Sequence, residues 1–284
     1  MYDKINFLAE KIAKADAVVV GGGSGLSSSS GYNHYHWSDY LEKELYDFKE
    51  HYGFKSPFDG FYHCFSTYEE MWGYYSKYTR FMWDAPLGQP YIDLKEILKD
   101  KEKFILTTNI DMQFSKAFDE NDICSFQGDF SFCQCSQPCE DKLYNTYDMC
   151  VEMTDNLIDK VRIPKELVPR CKSCGRVMVP WVRDDTFLEG KYWKEQFQRY
   201  NSFLNKWIVD SKDKNVLLLE LGVGEMTPSI IKLPFWDMAQ KNENVFYACL
   251  NYENSQSPKH IGDRGIYVQG DLKDTLGNIK KILC

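Results

Sequence analysis

The stretch Ala17-Val18-Val19-Val20-Gly21-Gly22-Gly23-Ser24-Gly25-Leu26-Ser27 sets four glycines directly after a short apolar run. β-Branched runs are typical of buried parallel strands, and glycines after such a strand let the backbone approach a diphosphate because no Cβ intervenes. Upstream, Ile5, Leu8, Ala9 and Ile12 recur at helical spacing, so a helix precedes the strand. The pattern predicts a nucleotide-binding turn, with an ordinary corner of an α/β protein as the alternative.

The composition narrows the class of protein. A chain of 284 residues with 43% hydrophobic residues suits one sizeable core plus a smaller module. The balance of 34 Lys+Arg against 42 Asp+Glu gives a net charge of -8 and argues against nucleic acid as a partner. No segment approaches the roughly 20 apolar residues that cross a bilayer, and the N-terminus lacks the apolar core of a signal peptide. We expect a cytoplasmic protein that does not bind membranes.

Ten cysteines indicate either disulfides or a metal, and the expected compartment disfavours disulfides. Cys135 and Cys139 flank Ser-Gln-Pro, and Cys171 and Cys174 form a two-residue knuckle followed by glycine. Four thiolates in two close pairs suit tetrahedral Zn²⁺, provided that a loop is inserted between the pairs. Cys133 is the alternative first ligand, ranked second because its spacing to Cys135 is too tight beside Cys139. Reduced cysteines without metal are the other interpretation.

Further apolar runs alternate with helical stretches, which predicts right-handed crossovers and a doubly wound parallel sheet of the Rossmann type. The runs lie at 104–108, 216–221, 245–250 and 265–268. Ligands bind beyond the carboxyl ends of such strands, and polar segments follow every run. These segments are Asn109-Ile110-Asp111, Gly222-Val223-Gly224-Glu225, Asn251-Tyr252-Glu253 and Gly270-Asp271-Leu272. Each one also suits a simple turn, but together they predict a ligand site at one sheet edge.

Two regions interrupt the alternation and are expected to be insertions. Residues 31–95 form an aromatic-rich helical insertion, and residues 130–178 form the zinc-binding module. The Rossmann-like domain then comprises 1–30, 96–129 and 179–284. Aromatic stripes at helical spacing predict core packing, with a substrate channel as the alternative. We expect His34-Tyr35-His36 to be a solvated loop rather than a metal chelate, and the serine run at 27–30 to cap a helix start.

The motifs together resemble those of sirtuins, and the resemblance covers nearly the whole chain. Sirtuins are NAD-dependent protein deacylases and ADP-ribosyltransferases with a Rossmann-like domain and an inserted zinc module. The motifs that carry the resemblance are Gly21-Gly22-Gly23-Ser24-Gly25-Leu26-Ser27, Thr107-Thr108-Asn109-Ile110-Asp111, Gln127-Gly128-Asp129, the Cys135/Cys139/Cys171/Cys174 quartet, Gly222-Val223-Gly224-Glu225, Asn251 and Gly270-Asp271.

The resemblance implies where NAD binds. The glycine turn at 21–27 would hold the diphosphate. Thr108, Asn109, Ile110 and Asp111 would face the nicotinamide and its ribose, together with Gln127. The adenosine half would lie against the remaining segments, which are Gly222, Val223, Gly224, Glu225, Asn251, Tyr252, Asp271 and Leu272.

Three departures from the sirtuin pattern bear on the reaction. An ordinary sirtuin has Gln-Asn-Ile-Asp and a catalytic His-Gly where this chain has Thr108-Asn109-Ile110-Asp111 and Gln127-Gly128. That histidine is the general base of deacylation, whereas glutamine accepts no proton at physiological pH and can only hydrogen-bond. Losing a general base typically costs about 10²- to 10⁴-fold. The usual Phe-Arg segment is also missing, since Gly31-Tyr32-Asn33-His34-Tyr35-His36 stands in its place.

The chain resembles a branch with this change, the macrodomain-linked, or class M, sirtuins of microbes. The resemblance includes Gln134-Cys135-Ser136-Gln137-Pro138-Cys139 and Val179-Pro180-Trp181-Val182-Arg183-Asp184-Asp185. Members transfer ADP-ribose to a lipoylated carrier protein related to glycine-cleavage H protein, in a system tied to oxidative stress and reversed by a macrodomain partner. The resemblance implies an NAD-dependent protein ADP-ribosyltransferase. Asn109 would orient the nicotinamide ribose, Gln127 would position the ribose or the acceptor, and Asp111 would contact the nicotinamide.

Two other functions fit the same residues. A lysine deacylase would need another base, for which His34, His36 and Asp129 are the candidates. A non-catalytic sensor of NAD or ADP-ribose would keep the pocket without turnover. Because four thiolates leave no open coordination position, we expect the zinc to be structural in each case.

Overall fold

The computed structural model describes residues 2–253 and 259–284, which form an α/β fold around a six-stranded parallel sheet. The strands are β1 (Ala17–Gly22), β2 (Glu102–Thr107), β3 (Ile123–Ser125), β4 (Gly128–Cys135), β5 (Tyr144–Asn145), β6 (Met178–Val182), β7 (Val216–Leu221), β8 (Val245–Asn251) and β9 (Gly265–Gln269). The large sheet has the order β3-β2-β1-β7-β8-β9. The strand order reverses between β1 and β7, which is where such sheets bind ligands. The predicted doubly wound sheet is confirmed.

Helices cover both faces of this sheet. They are α1 (Tyr2–Lys14), α2 (Ser24–Ser29), α3 (Asp39–Tyr52), α4 (Pro57–Tyr62), α5 (Tyr68–Asp84), α6 (Gln89–Ile97), α7 (Gln113–Ala117), α8 (Tyr147–Asp155), α9 (Lys191–Leu204), α10 (Lys232–Lys241) and α11 (Leu272–Leu283). Val18 and Val20 of β1 point into the core beneath α1, α6 and α11, whereas Val19 points toward α9 and α10. Both faces are buried, which explains the continuous apolar run that the sequence shows.

Helices α3, α4 and α5 form an aromatic core of their own beside the sheet. Phe48 and Tyr78 are completely buried there, as the helical spacing predicts, and Tyr74 is buried beside them. The indole of Trp72 donates to the carbonyl of Met178 at 2.9 Å and so attaches α5 to β6. Helix α6, by contrast, packs with α11 in the core of the large sheet.

Strands β5, β4 and β6 form a small antiparallel sheet next to this helical region. Its apolar side packs with Met153 and Cys150 of α8. Strand β6 begins just after the second cysteine pair and leads back toward the carboxyl edge of the large sheet. No helix in the described parts of the chain is long and apolar enough to cross a membrane.

Candidate active site and metal centre

Two glycine-containing loops meet at the switch point between β1 and β7. The amide of Gly23 donates to the carbonyl of Leu221, and that of Gly25 to the carbonyl of Gly222, both at 2.9 Å. A Cβ at Gly23 would lie 2.7 Å from the carbonyl oxygen of Gly222, and a Cβ at Gly25 would lie 2.8 Å from its Cα. The loops therefore pack backbone against backbone, which only glycine permits.

Two cavities open on either side of these loops. The larger, of about 400 Å³, is called the aromatic cavity, and seven predicted site residues line it: Ser24, Ser27, Thr108, Asn109, Ile110, Asp111 and Gln127. The smaller, of about 220 Å³, is called the glycine-loop cavity. Its predicted lining residues are Ser24, Gly25, Gly222, Val223, Gly224, Glu225 and Asn251. Residues from five separate segments are thus brought to one edge, and the shared wall at Ser24 makes the two cavities neighbours.

The other predicted cofactor residues line neither cavity. Leu26 and Leu272 are buried in the core of the sheet, and Tyr252 is 67% exposed. Asp271 caps α11 by accepting from the amides of Lys273 and Asp274. Gly21, Gly22 and Gly23 lie at the end of β1 and in the following turn, where close packing explains the glycines: a Cβ on Gly21 would meet Ile231, and one on Gly22 would meet Phe114.

A chain of buried polar groups fixes Asn109 and Asp111. The Asn109 amide donates to the carbonyl of Gly23 at 3.0 Å and to the hydroxyl of Tyr91 at 3.2 Å. The Tyr91 hydroxyl lies 3.3 Å from that of Ser27, and Ser27 donates to the Asp111 carboxylate. Burial and the Asp111 charge raise the pKa of Tyr91, so its hydroxyl stays protonated. Ser27 lies inside α2, so the expectation that the serine run caps a helix start was wrong.

Gln127 sits in a tightly held loop. Its carbonyl accepts from the amide of Arg183 at 3.0 Å, and the guanidinium of Arg183 donates twice to the carbonyl of Phe126, at 3.1 and 3.2 Å. The Trp193 indole donates to the same carbonyl at 3.1 Å. The guanidinium also lies 4.3 Å from the ring centroid of Phe187. Among the described residues, none hydrogen-bonds the side-chain amide of Gln127, which is therefore available to a ligand.

His34 differs from the expected solvated loop. It is only 8% exposed, lines the aromatic cavity, and its Nε2 lies 2.6 Å from the hydroxyl of Tyr78. Burial lowers the pKa of His34, and the Asp111 carboxylate partly opposes that shift. The expectation was wrong for His34 because α5 folds over the loop, a contact between segments 44 positions apart. It holds for His36, which is exposed.

Asp129, another candidate base, is turned away from the cavity. Its carboxylate accepts from the backbone amide of Ser131 at 2.8 Å and from the hydroxyl of the same residue. Burial raises the pKa of Asp129, although these hydrogen bonds oppose the shift. Asp129 is therefore a structural acceptor at the start of β4.

Aromatic side chains from the helical region form the far wall of the aromatic cavity. Phe58, Phe61 and Tyr75 line it together with Phe130 of β4. The ring centroids of Phe61 and Phe130 are 5.5 Å apart. The aromatic side chains therefore both pack in the core and line a cavity. Core packing and the alternative of a substrate channel, as interpreted from the sequence, are compatible here.

The four predicted zinc ligands converge at one end of the small sheet. The thiol sulfurs of Cys135, Cys139, Cys171 and Cys174 all lie within 4.8 Å of one another. Four sulfurs at this spacing fit one tetrahedral Zn²⁺, whose bonds to sulfur are about 2.3 Å long. Cys133 lies apart from them, with its Sγ 4.0 Å from the sulfur of Met149, so the structure favours Cys135 over Cys133.

Sequence reasoning missed three side chains that shape this edge. Tyr91 was assigned to no site and Tyr78 to the core. Lys232 of α10 lines the glycine-loop cavity but belongs to no sequence motif. Their partners in the sequence lie 12 to 64 positions away, so local spacing carries no trace of them. Arg183 was visible only as part of the Val179–Asp185 motif.

Comparison with known proteins gives a consistent set of relatives. No protein-family model matches the chain. A protein ADP-ribosyltransferase of Staphylococcus aureus strain Mu50 is 33% identical over 269 residues, which are 93% of this chain and 83% of that protein. A probable bifunctional ADP-ribose hydrolase/ADP-ribosyltransferase of Fusarium oxysporum f. sp. cubense is 24% identical over 247 residues. That match covers 84% of this chain and spans 40% of the fungal protein.

Solved structures share the fold over almost the whole chain. The crystal structure of a Sir2 homolog–NAD complex has a TM-score of 0.60 at 14% identity, covering 98% of this chain and 94% of its own. A structure described as the structural basis for the mechanism and regulation of Sir2 enzymes has a TM-score of 0.58 at 20% identity. That match covers 100% of this chain and 98% of the other. At such identities the likeness establishes the fold.

Proposed function

This chain belongs to the sirtuin-type protein ADP-ribosyltransferases, NAD-dependent transferases with a zinc-binding module, and from that premise we propose that its aromatic cavity is the transfer site. The observation that carries the proposal is the convergence of Asn109, Asp111 and Gln127 on one cavity, with an amide at the position where deacylation needs a base. Asn109, Asp111 and Gln127 are the proposed catalytic residues. NAD, when bound, supplies a cationic nicotinamide whose departure leaves an electrophilic ribose carbon.

Asn109 and Asp111 hold the ribose and nicotinamide in this proposal. The amide of Asn109 is fixed by two hydrogen bonds, and Asp111 is fixed by Ser27 and by the amide of Gln113 at 3.2 Å. Because these polar groups are already oriented before the ligand arrives, they need little reorganisation to stabilise the positive charge that develops at the ribose. The surrounding aromatic side chains exclude water from that centre.

Gln127 positions the acceptor without taking a proton. An acceptor carboxylate is already ionised at neutral pH and needs no base, so an amide suffices to orient it. Of the three base candidates, His34 and Asp129 are engaged by Tyr78 and Ser131, and His36 is exposed and lines neither cavity. This arrangement supports transfer over lysine deacylation.

For the acceptor we propose a protein, and more finely a lipoylated carrier related to glycine-cleavage H protein. The aromatic wall of Phe58, Phe61 and Tyr75 suits the apolar arm of such a carrier beside an acidic acceptor group. A macrodomain partner that reverses the modification, a place in the response to oxidative stress and a cytoplasmic location complete this proposal. The fungal relative, whose name joins a hydrolase to a transferase, supports the macrodomain link.

The zinc site is proposed to be structural. Its four thiolates leave no open coordination position, and β6 connects it to the cavity, which Val179, Pro180 and Val182 line. We propose that 130–178 forms the zinc module, 31–95 the helical insertion, and 1–30, 96–129 and 179–284 the Rossmann-like domain.

The test is to incubate the protein with NAD labelled in its adenylate half, a cell extract containing lipoylated proteins and, separately, an acetyl-lysine peptide. We expect label on a protein band, its loss in Asn109→Ala and its retention in Asn156→Ala, an exposed asparagine directly after α8 whose side chain donates to the carbonyl of Glu152. Acetyl-ADP-ribose without labelled protein would favour the deacylase. Binding without any release of nicotinamide would favour the sensor.

A further inference from the structure

The glycine-loop cavity has an unfavourable charge for an anionic ligand. Glu225 and Glu253 both line it, and the diphosphate of NAD is itself negative. Among the lining residues that the structure describes, Lys232 is the single cation. The cavity therefore has one described source of positive charge to offset two carboxylates.

A buried glutamate holds Lys232 in place. The lysine Nζ lies 2.5 Å from Oε1 of Glu220, which is completely buried in β7. The hydroxyl of Tyr247 donates to the other oxygen of Glu220 at 2.7 Å. Glu220 lines neither cavity, so its contacts serve to fix the lysine.

The ammonium retains donors for a ligand. A lysine has three N–H donors, and Glu220 is the one hydrogen-bond partner that the described residues provide for Lys232. The side chain is 10% exposed, and the residue lines the cavity together with Ser24 and Gly25. A phosphate oxygen entering between those loops would complete its hydrogen bonding.

A purely structural ion pair explains this arrangement less well. Buried ion pairs are commonly no more stabilising than apolar residues of similar volume, and the neighbours of this pair, Ile231 and Phe235, are apolar and fully buried. The ammonium at the cavity wall instead suits an anionic ligand, since Lys232 is largely buried and charge interactions of buried groups are poorly screened.

We propose that Lys232 donates a hydrogen bond to a phosphate oxygen in the adenylate half of NAD, and that Glu220 is the positioning residue that aims it. The inference rests on the NAD dependence of the proposed function and is independent of the acceptor. It makes the glycine-loop cavity selective for phosphorylated adenosine over adenosine itself.

Calorimetric titration tests this with ADP-ribose, ADP and adenosine as ligands. For Lys232→Met we expect the Kd of ADP-ribose and ADP to rise about 10-fold or more, because a hydrogen bond to a charged group is lost. The Kd of adenosine should change less than about 2-fold. Lys241→Met is the matched control, since Lys241 lies on the same helix and pairs with Asp237 at the surface.

A second variant separates binding from folding. Lys232→Met alone leaves the Glu220 carboxylate buried and unpaired, so the double variant Glu220→Gln/Lys232→Met removes both charges, and thermal denaturation confirms that it is folded. The same loss of ADP-ribose affinity in the folded double variant supports the proposal. Unchanged ADP-ribose affinity, or an equal loss for adenosine, overturns it. A parent protein that binds ADP-ribose but labels no acceptor would count against the proposed transfer alone.

Discussion

The two cavities meet at Ser24 and are built in different ways. The glycine-loop cavity lies beside two loops that pack backbone against backbone, because Gly23 and Gly25 lie against Gly222 with no room for a Cβ. The aromatic cavity is lined by side chains from the helical region, from the segment after β2, and from β4 and β6. The first arrangement tolerates little change, because a side chain at Gly23 or Gly25 would meet backbone atoms, whereas the second can be altered residue by residue. Changes in reaction, such as an amide in place of a basic histidine, are therefore expected on the aromatic side.

Removing the zinc should have the largest effect on stability and transfer. It should act on the aromatic cavity, because β6 connects the zinc site to that cavity. Cys171→Ser breaks the cysteine quartet, and structural zinc contributes roughly 10–16 kcal/mol of apparent binding free energy to folding. We expect less than one zinc per chain, protease sensitivity within 130–178 and loss of transfer. Zinc content by atomic absorption and limited proteolysis measure this.

Cys64→Ser is the control for zinc removal, because Cys64 is exposed and lies outside the quartet. It should keep both zinc and activity. A zinc-free Cys171→Ser protein that is protease-resistant and fully active would contradict the structural role.

Asn109→Ala should give the next largest effect. The variant loses a fixed group at the ribose while the glycine loops are unchanged, so we expect transfer to fall about 10²- to 10³-fold and the Kd of ADP-ribose to change little. Nicotinamide release and calorimetry measure the two quantities. An equal loss of transfer rate and of ADP-ribose affinity would mean that Asn109 only binds the cofactor. The two cavities would then not differ in function as proposed.

Gly23→Ala tests the backbone-built side. The new Cβ would lie 2.7 Å from both the carbonyl oxygen of Gly222 and the Cα of Val223, and neither backbone atom can move cheaply. We expect a loss of about 1–3 kcal/mol in the free energy of unfolding, measured by denaturant titration. Gly224→Ala, which has no atom within 4 Å of the added Cβ, should be nearly neutral. Equal stability of the two variants would refute the close contact of the loops.

Features that depend on local sequence patterns could be predicted, whereas features that depend on contacts between distant segments could not. The glycine turn, the five apolar runs and the cysteine quartet were predictable because each is a local pattern with a fixed spacing. His34 was placed wrongly because Tyr78 and α5, which bury it, lie far along the chain. Tyr252 and Asp271 follow strands as expected, yet one is exposed and the other caps a helix. A polar residue directly after a strand thus predicts a position at the carboxyl edge of the sheet, but it does not predict that the residue lines a cavity there.

The titration of His34 should give the smallest effect. Burial holds the pKa of His34 below its ordinary 6.5, so the unfolded chain binds this proton more readily. Stability contributed by the neutral ring is present above pH 6.5 and falls as the pH drops below it, by at most about 1.4 kcal/mol per pH unit. His34→Gln should flatten the pH dependence of unfolding between pH 6.5 and 5.5. An unchanged slope would mean that the ring titrates normally.

We propose that Gln127 acts by position and not by proton transfer, and the pH dependence of transfer distinguishes these two roles. Single-turnover transfer of labelled ADP-ribose would be followed from pH 6 to 8 for the parent and Gln127→Ala. We predict a flat profile for both, with Gln127→Ala slower by about 10- to 100-fold. A parent rate that falls tenfold per pH unit on acidification would show that a base, with His34 the nearest candidate, takes part in the reaction, and would rule out a purely positioning role for Gln127.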